Sequence, residues 1–508
     1  FLKPPYQEIK KGAIEDIKFE SKAFYVETDF QPAPPSIRPL DKADEPDFTN
    51  NFLKLGIGRF VAPTAQLYIN NGKERNVDYG LSFTHKSTHQ DPVPLRRYRE
   101  DYGSLEGKFI EKEYTGLAKF SLYNTGYFFY AGDDTTIFPG TTDVMREDSL
   151  RMGFTSASLD GMLFSNYQEG EEYFYNAGVQ LNILSTRLKT SELGLLLKPT
   201  GGYHLTDEVD LILDTEIGFT RGTFLPANQN RFFFEGSPAV AYDNGTVRIL
   251  GGITYNHFKN NIDSTGFSNL GPRVAIDYTI SPFSMVLQAG YIAGMDQNLY
   301  RDMIHDNRYL GADITIRPTI TNMHIYAGAK GNLGQAIDFA VRGFYKRIEN
   351  QLIYRTFDSY RFTPVYDSLM TQTGVHAEAN YDLNEQLKFG MAANISVFNT
   401  SNQDTLTARY FSASPIRFDI FATYKWEEKL TARGDLYVYG PAPLGEDGEG
   451  NIIQRNPFID IRLYADYQLT PAFSVYAGVD NLLSTQYQRW INYPERPISI
   501  QAGLTLAF

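Results

Sequence analysis

A two-residue alternation of apolar and polar side chains recurs from Phe52 to the last residue, and it constrains this chain more than any other feature. In "FIDIRLYADYQL", Ile459, Ile461, Leu463, Ala465, Tyr467 and Leu469 fall on one face of an extended chain. Asp460, Arg462, Tyr464, Asp466 and Gln468 fall on the other. "LTARGDLYVY" sets Leu430, Ala432, Gly434, Leu436 and Val438 against Thr431, Arg433, Asp435, Tyr437 and Tyr439. "IRFDIFATYK", "VHAEANYD" and "IDFAVRGFYK" repeat the pattern, as does the C-terminal stretch, where Ile498, Ile500, Ala502, Leu504, Leu506 and Phe508 alternate with small or polar residues.

Such segments are strands with one oily face. A large soluble antiparallel sheet shows the same alternation, one face on a core and the other in water. It would need a second apolar layer to cover those faces. Here nearly every segment has the same pattern, and only the stretch Asn298 to Tyr309 reads as helical. Lipid is the simplest solvent for all these faces at once. No run of about 18 apolar residues occurs, which excludes ordinary membrane helices but not a barrel, whose strands alternate.

The connections alternate too. "HLTDEV", "YDNGT", "ISPF", "DLNEQ", "KWEEK" and "QLTPAF" are short, whereas "STHQDPVPLRRYREDYG", "AGDDTTIFPGTTDVMRED", "FNTSNQDTLTARYFSASP" and "LLSTQYQRWINYPERP" are long. This predicts an all-β, closed antiparallel transmembrane barrel over 52–508, with short periplasmic turns and long extracellular loops. The count is about 22 strands, an even number, which puts both ends of the barrel at the short-turn, periplasmic side. A terminal Phe508 then sits in the interfacial aromatic girdle, and the last strand closes on the first.

Residues 1–51 differ. "PAPPSIRPLDKADEP" carries five prolines and five charges, which favours an extended polyproline-like segment. It reads as a periplasmic or lumenal segment whose Tyr25, Phe30, Ile37, Arg38 and Leu40 are candidate contacts for a partner. With no cysteine, the chain has neither disulfides nor thiolate metal sites. A net charge of -13 argues against nucleic acid as a partner.

The end of the chain, with Asn481-Leu482-Leu483, Tyr487 and Pro494-Glu495-Arg496, resembles the end of a TonB-dependent receptor barrel. Glu495 stands where that family has glycine. "KGNLGQAIDFAVRGFYKRIENQLIY" resembles a receptor hairpin. The proline-rich start followed by "NNFLKLGIGRFVAPTAQLYINNGK" resembles receptor-like outer-membrane proteins of Bacteroidota. The resemblance implies a bacterial outer-membrane location. It also implies that Leu504, Leu506 and the terminal Phe508 serve as the signal read by the barrel-insertion machinery. Receptors of this family carry an N-terminal plug and a TonB box. The segment before Phe52 is too short and proline-rich to be that plug, so a plug-less barrel is expected.

Inward-facing charges form mixed sets: Asp338 with Arg342, His376 with Glu378, Arg417 with Asp419, Arg433 with Asp435, and Asp460 with Arg462, with Asp466 beyond them. They would line the lumen, chiefly as an ion-pair and hydrogen-bond lattice around water. His85 and His89 would suggest a metal pair on a helix, but on a strand their spacing is roughly 13 Å. "GEDGEGN" lacks the calcium-loop order of ligands. "DSL" at Asp148 and Asp367 and "DTL" at Asp404 resemble a Bacteroidota O-glycosylation motif. No phosphate loop, nucleophile elbow or HExxH is present. The expectation is a non-enzymatic subunit of a larger outer-membrane assembly without cofactors, in contact with lipid and with other outer-membrane or periplasmic subunits. The alternative is a stand-alone pore or transporter taking up a solute.

Overall fold

The computed structural model describes residues 51–71, 76–91, 93–132, 143–166, 172–263, 266–280, 284–334, 336–356, 358, 360–400, 414–427, 429–446 and 452–508. Twenty-two strands form one antiparallel sheet that closes on itself. The first strand, Phe52–Gly58, pairs with the second, Ala62–Asn70, and also with the last, Ser499–Ala507, in the register Leu53 to Leu506 and Leu55 to Leu504. Closure removes both sheet edges, so every backbone ladder is satisfied within the wall, as lipid requires. The N–H of Phe508 bonds to the carbonyl of Asn51 at 3.0 Å, so the two ends of the barrel meet at the short-turn rim.

The seam is a close fit of a ring on glycine. A Cβ on Gly503 would lie 2.0 Å from the Leu55 carbonyl and 2.6 Å from the ring of Tyr476, and one on Gly56 would lie 2.0 Å from the Tyr476 hydroxyl. Only glycine lets that tyrosine lie flat across the last and first strands.

The alternation has the physical meaning read from the sequence. Leu463, Leu504 and Leu506 are exposed on the outer face, with Ile461 beside them half-buried, while Asp460 is 2% exposed on the inner face. Short turns gather at one end, such as 207–208 and 471–472. The long connections gather at the other, although 59–61 and 187–190 there are also short. The long connections carry structure of their own: helix α1 (Asp143–Leu150), helix α2 (Tyr300–Asp306) and three small hairpins within 351–367, 442–455 and 488–494. The helical reading near Asn298 corresponds to α2. Helix α1 lies in a stretch that the sequence places in a long connection, and its "DVMREDSL" has no apolar stripe of helical period to reveal it.

The hydrophobic core lies in these loops rather than in the lumen. Tyr127, Phe129, Leu150, Met152, Phe154, Leu184 and Phe224 pack with Tyr300, Met303, Ile304, Leu310, Ile314, Ile316, Tyr354, Phe362, Trp490 and Tyr493 into one buried cluster at the long-loop end.

Candidate functional site

Two features could act on a solute: the charged lumen wall and the cap of loops over it. In the wall, residues two apart on a strand point the same way, so each expected i, i+2 pair can form. Arg433 bonds Asp435 at 2.7 Å, Arg417 bonds Asp419 at 2.6 Å, Arg462 bonds Asp460 at 2.8 Å, and His376 meets Glu378 at 2.9 Å. Strand register then sets the pairs side by side: Phe421, Asp435 and Arg462 form one row, and Asp419, Tyr437 and Asp460 the next. Each guanidinium also covers a ring, with Arg433 over Phe421 at 4.6 Å, Arg462 over Tyr437 at 5.0 Å and Arg417 over Tyr439 at 5.3 Å. The charges of these i, i+2 pairs are therefore matched within the wall.

Asp338 and Arg342 are not joined by an ion pair among the described residues. Arg342 donates to Gln288 at 3.4 Å and lies over the ring of Tyr326, while Asp338 is exposed. Four residues apart on a strand is too far for direct contact. Asp466 sits opposite Thr431 in the same wall. Sequence reading missed Lys54 in the first strand. It is 7% exposed, donates to the Tyr464 hydroxyl and lies 3.9 Å from the ring centre of Tyr476.

The cap depends on one connection, residues 297–318, between the strands Met285–Asp296 and Thr319–Leu333. It runs inward and is bonded from many sides. Arg308 pairs with Glu100 at 2.8 Å, and the Tyr127 hydroxyl donates to the Arg308 carbonyl. The backbone of Leu225 bonds Ala312 and Ile314 at 3.0 and 3.1 Å. Gln229 donates to the Ile314 carbonyl at 2.7 Å and accepts from the Ile316 N–H at 3.1 Å. Leu310 bridges to Phe362, Arg489 reaches Asp306 at 3.3 Å, and Tyr309 stacks on Tyr493 with centroids 3.5 Å apart. The connection thus leaves one wall and is held by strands from Tyr98–Ile110 round to Val247–Asn260 and by the loops 351–367 and 481–498.

Its fixed point is a buried network. Arg231 and Glu192 come from two barrel strands and pair with side chains only 2% exposed each. Glu192 accepts the N–H groups of Tyr300 and Arg301 at 3.0 and 3.2 Å, so its carboxylate caps the start of α2. Arg231 also donates to the Asn298 carbonyl at 3.0 Å. Sequence alone does not pick out these two residues: both alternate like any lumenal charge, and the helix they hold lies about 70 or more residues further on. Burial acts on the cap's ionisable groups. It pushes the Asp306 carboxyl above its usual range, opposed by Arg489, and pushes the Tyr309 phenol up to about 12.

The receptor-like residues near the C-terminus order the final loop. Asn481, at φ 48°, donates to the carbonyls of Thr485 and Arg496 at 3.0 and 2.7 Å. Tyr487 stacks on Phe458 at 3.9 Å. Arg496 pairs with Asp91 at 3.0 Å, and Asp91 also holds the buried Arg96 at 2.8 Å, tying this loop to the connection 89–97. Leu504 and Leu506 face outward and Phe508 is 54% exposed. Tyr25, Phe30, Ile37, Arg38 and Leu40 lie outside the described residues, as do Asp404 and most of "GEDGEGN". The described residues contain no group of three or more acidic, histidine or cysteine side chains able to hold a metal.

No family model and no curated sequence matches the chain. Solved structures do. The FrpB iron transporter from Neisseria meningitidis aligns with a TM-score of 0.69 and 13% identity, over 90% of this chain and 81% of that one. The ferric-catecholate import receptor Fiu from E. coli gives 0.66 and 11% over 90% and 82%, and the copper transporter OprC gives 0.65 and 12% over 91% and 82%. At these identities the likeness carries the fold and nothing finer. The chain has a closed 22-strand antiparallel barrel fold, like that of these transporters and this receptor.

Proposed function

We propose that this receptor-shaped barrel works as a subunit of a larger outer-membrane assembly, its outer mouth sealed by its own loops, rather than as an open diffusion pore. The observation that supports this is the connection 297–318, bonded to strands and loops around the mouth and carrying Tyr300, Met303, Ile304, Leu310, Ile314 and Ile316 in a buried cluster. A lumen of 22 strands is wide enough to leak solutes unless something fills or covers it. In this reading the long loops are extracellular and both barrel ends periplasmic. The segment 1–51 reaches a partner through Tyr25, Phe30 and Leu40, without needing a plug to seal the mouth.

The wall supports the same reading. Arg417, Arg433 and Arg462 are each matched by a neighbouring carboxylate, so these three guanidiniums do little to draw a solute inward. Planar-bilayer conductance of the purified barrel, together with a pull-down from native membranes, tests it. Electrical silence with stoichiometric partner proteins is the expected outcome. A large steady conductance without partners refutes it in favour of a stand-alone pore.

A further inference from the structure

Outside the lumen and the cap, the outer wall carries a chain of directed hydrogen bonds on the strand Val77–Thr88 and its neighbour Tyr98–Ile110. His85 and Asp101 are direct cross-strand partners. His85 Nδ1 lies 2.6 Å from Asp101 Oδ1, and His85 Nε2 lies 3.0 Å from Ser87 Oγ. Ser87 Oγ lies 3.3 Å from His89 Nε2. The distance of roughly 13 Å between the backbones of His85 and His89 therefore misses that both rings lean onto the serine between them.

With Asp101 ionised and His85 neutral, the protons run one way. Asp101 accepts, so His85 Nδ1 carries the hydrogen and Nε2 is an acceptor; Ser87 donates to it, and His89 Nε2 donates to Ser87. A carboxylate orienting an imidazole that takes the proton of a serine is the constellation of nucleophilic acyl transfer. Asp101 is fixed in turn by Arg99 Nε at 2.6 Å and Asn124 at 3.5 Å.

The position of the set indicates its substrate. One row of the outer face reads Leu67, Phe83, Gly103, Leu122, Ala157 and Ile183 across six strands. The next row toward the long loops reads Ala65, His85, Asp101, Asn124, Thr155 and Ser185. The wall turns from apolar to polar between these rows, so Ser87 lies just beyond the edge of the lipid belt, where the ester groups of membrane lipids sit. Ser87 is 2% exposed beneath the flanking rings, whereas His89 is exposed and borders a cleft of about 280 Å³ that also takes in Gln90, Leu95 and Arg97. Rotation of His89 toward that cleft uncovers the serine.

We propose that Ser87, His85 and Asp101 form an acyl-ester hydrolase site facing the membrane surface, acting on the acyl ester of a membrane lipid. Ser87 Oγ attacks the ester carbonyl carbon while His85 Nε2 takes the hydroxyl proton. The C–O bond to the alcohol breaks, His85 returns the proton to the leaving alkoxide, and a serine ester remains. Water, deprotonated by His85, then releases the fatty acid and regenerates the hydroxyl. Ser87 and His85 are catalytic and Asp101 is a positioning residue. This goes beyond the assembly reading and does not depend on it.

The test uses the full chain in detergent micelles, with a fluorophosphonate probe and p-nitrophenyl palmitate in mixed micelles. The wild type should label at Ser87 and hydrolyse the ester. Ser87→Ala should abolish labelling, and Ser87→Ala or His85→Ala should lower turnover at least about 100-fold. Asp101→Asn should lower turnover and move the alkaline-favoured limb of its pH profile, which a merely structural change would not. Heat-modified mobility on gels checks that each variant is folded. Absence of Ser87 labelling in the folded wild type, or ester hydrolysis that survives Ser87→Ala, overturns the proposal. Neither result bears on conductance or on partner capture.

Discussion

Glu192→Ala should unlatch the cap. The substitution leaves Arg231 buried without its carboxylate, in a pair whose side chains are 2% exposed. It also strips the acceptor from the N–H groups of Tyr300 and Arg301, at 3.0 and 3.2 Å. Removing one partner of a buried pair costs about 3–5 kcal/mol, because the remaining charge stays desolvated. The two lost backbone bonds, at about 0.5–1.5 kcal/mol each, belong to the same network and overlap with that figure rather than adding to it. The cost falls on the connection 297–318, since the ladder bonds of the strand Ser191–Thr206 do not pass through this side chain. At 1.4 kcal/mol per tenfold, the population with α2 released should rise roughly 100- to 4000-fold. Single-channel recording should then show openings absent from the wild type, and amide exchange over 300–306 should speed up by a similar factor. Glu192→Leu combined with Arg231→Met removes both charges and should recover only part of the loss, since the N–H groups of Tyr300 and Arg301 still lack an acceptor. Wild-type exchange and conductance in Glu192→Ala would refute the idea that this pair holds the cap.

Alkaline pH should loosen the same cap. Released Tyr309 ionises near 10.0 and the packed ring near 12, so between these values only the released state has lost its proton; the Tyr309 contribution to cap stability falls as pH rises through that window, by at most about 3 kcal/mol, and Tyr309→Phe should lessen the pH dependence of conductance without removing it, since burial also raises the Tyr300, Tyr127 and Tyr493 phenols. Leu463→Arg puts a charge on the outer face and should cost about 2–4 kcal/mol if the residue lies near mid-bilayer, read by urea titration in lipid; a change under 1 kcal/mol would place it at the interface. Gly503→Ala sets a Cβ 2.0 Å from the Leu55 carbonyl and should reduce the heat-modifiable folded form by a cost of about 1–3 kcal/mol, whereas normal folding yield would show that the seam can shift. Deleting residues 1–40 should leave the barrel folded and inserted but weaken partner recovery in a pull-down; unchanged recovery makes the segment a leash.

Period-two alternation, repeated with almost no helix to cover it and with short and long connections in turn, made the barrel wall legible in the sequence. Side chains at i and i+2 share a face, so the oily face of 458–470 and the charged face opposite it were both legible. The same local geometry made the pairs Arg417–Asp419, Arg433–Asp435 and Asp460–Arg462 readable, because both members lie on one strand. Asp338 and Arg342 failed as a pair for the same reason, being four residues apart rather than two.

What only the tertiary structure decided involves contacts between distant segments. Glu192, Arg231 and Tyr300 are brought together by the pairing of two strands on either side of Val209–Thr223 and by the path of 297–318. No periodicity records which loop turns inward, since loop direction follows from side-chain packing against strands far away in sequence. His85, Ser87 and Asp101 lie between these cases. His85 and Ser87 share a face by spacing alone, but their partnership with Asp101 required the register of two strands, which the turns and the closed barrel fix together.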